Sequence, residues 1–131
     1  MLAVNTSGHE LSDLARRRII DLLGPEARIV EFGAWDVGSP ATGEELRDAV
    51  AALIGRINEL SGQPHSGPPT LILPGFSPSV AMLLALWHGM AGDFPRLIWL
   101  QRGADGFTHP VSLDLSVART WARESLRFGP S

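Results

Sequence analysis

Two periods of apolar residues alternate along this chain, one short and strand-like, one helical. Leu2 to Val4 is a short apolar run that gives way to the polar cluster Asn5-Thr6-Ser7-Gly8-His9, the pattern of a strand followed by a loop. Leu11, Leu14, Ala15, Ile19 and Leu22 then share one face at helical spacing, with Arg16, Arg17 and Asp21 opposite, and Gly24-Pro25 stops that helix. Arg28 to Phe32 reads as a second strand. Past a Gly/Pro loop from Gly33 to Ala41, Thr42 and Glu45 have the spacing of a capping box. They open a helix over 43–60 marked by Leu46, Ala49, Val50, Leu53, Ile57 and Leu60. The stretch Ser61 to Pro69 reads as a loop.

Thr70 to Leu73 is short and runs wholly apolar after Thr70, as in strands buried on both faces of a parallel sheet. It leads into Pro74-Gly75-Phe76-Ser77-Pro78, where Ser77 is an expected N-cap and Pro78 a first helical residue. The helix over 78–91 ends near Gly89 and Gly92. Leu97 to Leu100 is another apolar strand, His109 to Leu113 reads as a fifth, and Asp114 or Ser116 starts a last helix through Trp121 and Leu126. The order β-α-β-α-β-α-β-(β)-α predicts one Rossmann-like α/β domain over 1–131. Its sheet is parallel-rich with helices on both faces, because parallel strands need right-handed crossover helices.

Composition narrows the function classes. The formal net charge is −3, which argues against a partner as long and polyanionic as DNA or RNA but leaves room for a small anion held by aimed donors. Cysteine is absent, which removes disulfides, thiolate nucleophiles and Cys-based metal sites. The N-terminal segment has neither a charged n-region nor a long apolar h-region, so a cytoplasmic location is expected. No charge occurs between Glu59 and Asp93, but prolines interrupt that stretch. Its longest unbroken apolar run, Val80 to Trp87, is eight residues; a membrane span needs about 20.

Ligands of open α/β sheets sit beyond the carboxyl ends of the strands, near the point where strand order reverses. Two segments fall there: Asn5, Thr6, Ser7, Gly8 and His9 after the first strand, and Pro74, Gly75, Phe76 and Ser77 after the third. Both combine small side chains, backbone N–H groups and a helix start, materials that hold a phosphate. Either could instead serve helix capping alone, since Ser7 and Glu10 also have capping-box spacing. Arg102, just past the fourth strand, is by position the first choice to meet a phosphate. Neither loop matches a Walker or GxGxxG pattern, so no ATP or NAD cofactor is expected.

His9, His65, His88 and His109 lack metal-ligand spacing, and no metal site is expected. His9 is the best placed general acid or base. His88, closing an apolar helix, reads as structural, and Arg16-Arg17-Arg18 as a solvated face. The helix over 78–91 is apolar almost all round, and a helix covering one side of a sheet needs a single stripe. A second copy of the chain is the expected partner, giving a homodimer through that helix.

Asn5 with Ser7-Gly8-His9-Glu10-Leu11-Ser12, then Leu73-Pro74-Gly75-Phe76-Ser77-Pro78, then His88-Gly89 with Gly92, Phe94 and Pro95, and finally Val117, Arg119, Ala122 and Arg123, run in order along nearly the whole chain. Together they resemble a small CRISPR-associated family of type III systems, the Csx family numbered fifteen. The loop from Gly33 to Pro40 and the tip from Gly103 to Phe107 have no counterpart in that resemblance. It implies a Rossmann-like, CARF-like domain that binds cyclic oligoadenylate, a second messenger of type III immunity. Two copies would hold cyclic tetra-adenylate across their two-fold axis, and the implied role is sequestration that damps signalling. No catalytic residue is assigned. Metal-independent ring cleavage, which positioning of a ribose hydroxyl can support, stands as the alternative. An interaction module that binds no ligand is the third reading.

Overall fold

The computed structural model describes residues 1–31, 39–61, 68–106 and 108–126. Phe32, residues 33–38, residues 62–67 with His65, Phe107 and residues 127–131 lie outside the described residues. The elements run β1 (Leu2–Asn5), α1 (Asp13–Leu23), β2 (Arg28–Glu31), α2 (Gly43–Ser61), β3 (Thr70–Ile72), α3 (Ser77–Ala91), β4 (Arg96–Arg102), β5 (Thr108–Leu113) and α4 (Leu115–Ser125). They build one sheet in the order β2-β1-β3-β4-β5. The first four strands are parallel and β5 pairs antiparallel to β4. This is a Rossmann-like α/β fold.

The topology follows from handedness. The step from β1 to β2 goes one way along the sheet, and those from β2 to β3 and β3 to β4 go the other way. Right-handed crossovers therefore send α1 to one face and α2 and α3 to the opposite face. The two apolar clusters reflect this division. Leu11, Ala15 and Ile19 of the α1 segment pack on Ile72 and Ile98, whereas Val50, Leu53, Ile57, Leu83 and Trp87 of α2 and α3 pack on Leu2, Val4, Leu71 and Leu97. Alternate residues of β3 and β4 thus feed different cores, which is why both strands read as continuous apolar runs.

Capping matches the sequence pattern at α2, where Thr42 Oγ1 accepts from Glu45 N–H (3.1 Å) and Glu45 reaches back to Ala41 N–H (2.7 Å). Asp114 caps α4 through Val117 N–H (3.0 Å). Elsewhere the pattern misleads. Ser12 caps α1, accepting from Ala15 N–H at 3.1 Å, so Ser7 and Glu10 are not its capping box. Ser77 is already helical; Phe76 occupies the N-cap of α3 and makes no side-chain capping bond.

Part of the apolar circumference of α3 is covered within the chain. Ser79, Leu83 and Trp87 face the sheet, α2 lies along one flank with Asn58 Nδ2 donating to Met90 Sδ (3.3 Å), and α4 meets the helix end at His88. Ala81 and Ala85 are left facing outward. At that end Gly92 takes a left-handed φ of 77° and its N–H bonds His88 C=O. The His88 ring sits against Phe94 with centroids 4.8 Å apart, and Arg119 of α4 donates to His88 Nε2 (3.2 Å). No helix among the described residues is long and apolar enough to cross a membrane.

Candidate ligand site

Strand order reverses between β1 and β3, and a cavity of about 670 Å³ opens beyond their carboxyl ends. Its floor comes from the starts of α1 and α3 and its wall from β4. Ser7, His9, Pro74, Gly75, Ser77 and Arg102 line it, joined by Glu10, Leu11, Ser12, Ala15, Leu73, Val80, Trp99, Leu100 and Thr108. The two loops singled out in the sequence therefore face one space. Its size is that of small-molecule sites, which run from about 300 to 1,000 Å³.

Asn5, Thr6, Gly8 and Phe76 do not line this space. Asn5 and Thr6 are buried and shape the loop instead. Asn5 Oδ1 accepts from Ser7 N–H (3.0 Å), and its amide donates to His9 C=O and to Glu31 Oε2, both at 2.7 Å. Thr6 clamps β1 to β3, donating from both its N–H (3.1 Å) and its hydroxyl (2.5 Å) to Ile72 C=O. Gly8 takes φ of 84°, a turn that L side chains rarely adopt, and this brings His9 C=O back to Asn5. Phe76 stands 52% exposed beside the opening.

Glu31, at the end of β2, was not foreseen. Its carboxylate accepts from Asn5, from Leu11 N–H (3.4 Å) and from Arg16 Nη2 (2.9 Å), tying loop, helix start and neighbouring strand together. Arg16 and Arg18 are accordingly not a solvated face. Arg18 crosses to the β4–β5 hairpin, donating to Thr108 C=O (2.9 Å) and His109 Nδ1 (3.1 Å), and His109 Nε2 lies 3.0 Å from Asp105 Oδ1. The His109 ring occupies the place a side chain at Gly103 would need, with Cδ2 2.4 Å from an added Cβ. Arg17 alone of the three is exposed.

The wall has a simple origin. The β3–β4 ladder ends at Ile72 opposite Ile98, closed by Leu73 N–H to Ile98 C=O (2.9 Å), but β4 runs on to Arg102 paired with β5 alone. Trp99, Leu100 and Arg102 belong to this overhang. Trp99 is 46% exposed, although Leu97 and Ile98 before it are fully buried.

In open α/β sheets, ligands are generally found in a cavity of this kind at the switch point. Comparison with protein-family profiles, curated protein sequences and solved structures returned no match.

Proposed function

We propose that this protein is a type III CRISPR accessory of the cytoplasm that binds cyclic oligoadenylate, cyclic tetra-adenylate first, and damps antiviral signalling by sequestering it. The observation that supports this reading is the meeting of Ser7, His9, Gly75, Ser77 and Arg102 around one cavity at the switch point. The start of α3 has no side-chain cap, so the N–H groups of Ser77 and Ser79 can meet an anion, Pro78 between them having none, and Arg102 of the same cavity adds a positive charge. A cyclic messenger with two-fold symmetry fits a homodimer in which each copy gives one such cavity to half of the ring.

The test is incubation of the protein with labelled cyclic tetra-adenylate, followed by calorimetry and product analysis. Binding with recovery of the intact ring is expected. Conversion of excess ring to linear di-adenylate over many turnovers would make the protein a ring nuclease. Absence of binding would leave the interaction module.

A further inference from the structure

We infer that the β4 overhang is the base-reading part of this cavity, with Trp99 as the stacking platform and the free backbone edge of β4 as the reader of adenine. The inference rests on the reading of the cavity as a nucleotide site, and adds which atoms would choose the base.

Leu100 lies opposite Pro110 in the antiparallel register. Proline has no N–H, so this is a non-hydrogen-bonded pair, and Leu100 turns its own N–H and C=O away from β5. That is the side where β3 would continue, and β3 has already ended. Ile98 confirms the direction, since its C=O receives Leu73 N–H from the β3 side, and strand residues two apart point the same way. Leu100 C=O and Arg102 N–H therefore form an acceptor–donor pair on an open strand edge, and both residues line the cavity.

A flat heterocycle that continues the sheet past Leu73 meets this pair edge-on. Successive strand side chains leave opposite faces, so Trp99 flanks such a ring on the α3 side and Leu100 on the α1 side. Adenine suits the edge: its amino group donates to a carbonyl while N1 accepts from an N–H. Hypoxanthine reverses both roles, presenting an oxygen to Leu100 C=O and a ring N–H to Arg102 N–H. Glu10, exposed at the α1 rim, repels phosphate there. The sugar-phosphate side accordingly lies toward Ser77 and the start of α3.

The experiment compares cyclic tetra-adenylate with cyclic tetra-inosinate by calorimetry on wild type, Trp99→Phe and Trp99→Ala. Trp99 is half exposed, so truncation spares the core, and circular dichroism checks the fold. Wild type should prefer the adenylate ring by roughly 5- to 150-fold, the discrimination of one bidentate base contact. Trp99→Ala should weaken both rings by roughly 5- to 150-fold, the loss of base stacking on an aromatic ring, and Trp99→Phe should restore most of it. Equal binding of the two rings, or a Trp99→Ala variant as tight as wild type, overturns the base-reading inference and leaves sequestration standing. Failure of wild type to bind either ring overturns both.

Discussion

Asn5 and Glu31 hold together the loop and the helix start that form the α1 side of the cavity. Asn5 satisfies three groups at once, and a buried acceptor or donor left without its partner costs about 1–3 kcal/mol. Asn5→Leu keeps the approximate volume but abandons Ser7 N–H, His9 C=O and one oxygen of Glu31. It should lower stability by at least about 2 kcal/mol in urea titration, at the upper part of that range. His9 is different, because its ring is exposed and only its backbone holds the loop. His9→Ala should leave stability unchanged and weaken cyclic tetra-adenylate by about 1–2 kcal/mol, the scale of a charge-assisted hydrogen bond. A fall of roughly 10²-fold or more in single-turnover cleavage with affinity intact would instead mark His9 as a general acid or base. The polar run after β1 was visible in the sequence because small polar residues ending an apolar strand have few other uses. Glu31 was not, since its partners Asn5 and Arg16 are far away in sequence and a strand-end carboxylate resembles any surface charge.

At the scale of elements, α3 connects the cavity to the far end of the sheet. Its start carries Gly75, where an added Cβ meets nothing within 4 Å and φ is not positive. Gly75→Val should therefore fold normally and lose ligand affinity by crowding the opening, as thermal melting and calorimetry on the same sample would show. Its end carries His88-Gly89 with Gly92, Phe94 and Pro95, and these residues are structural. Asp93 accepts from Ser116 Oγ (2.5 Å) and Phe94 N–H (2.8 Å) and lies 3.6 Å from Arg119, which in turn holds His88. The Ser116 hydroxyl first and then Phe94 N–H, helped by the charges of Arg119 and His88, hold the Asp93 carboxyl below the usual carboxylate range against the opposing effect of desolvation. The stability this adds is present above the ordinary carboxylate pKa of 3.8 and fades as pH falls through the depressed value. Amide protection in α4, taken relative to the intrinsic exchange rate at each pH, should fall over that acid window in wild type, whereas Asp93→Asn should be less protected already at neutral pH and change less on acidification. Strand boundaries explain what the sequence hid here. Apolar periodicity marked Leu97 to Leu100, but β4 continues through Gln101 and Arg102 because β5 pairs with them, and antiparallel pairing of polar residues leaves no apolar trace.

For the whole molecule the open question is symmetry. The all-apolar pattern of α3 was legible, but its cause was divided among partners within the chain: the sheet, α2 and the start of α4. A variant such as Leu83→Asp consequently tests folding, because Leu83 is fully buried in the core. Ala81 and Ala85, exposed and one helical turn apart, form a flat strip on which a second α3 can lie closely. The strip begins beside Pro78, at the cavity end of the helix, so a two-fold axis running along two parallel α3 helices would bring two cavities to the same side of a dimer. Ala85→Arg disturbs no core contact and places two like charges against each other across such an axis. Wild type should sediment as a dimer at micromolar concentration and bind one cyclic tetra-adenylate per two chains. Ala85→Arg should melt at the wild-type monomer's temperature, sediment as a monomer and bind the ring weakly, since each copy then offers half a site. If the ring prefers the paired form, as the proposed function requires, adding it should pull a weakened dimer back together in proportion to its concentration. A wild-type monomer that takes up one ring per chain would defeat the symmetric arrangement while leaving the cavity itself as the ligand site.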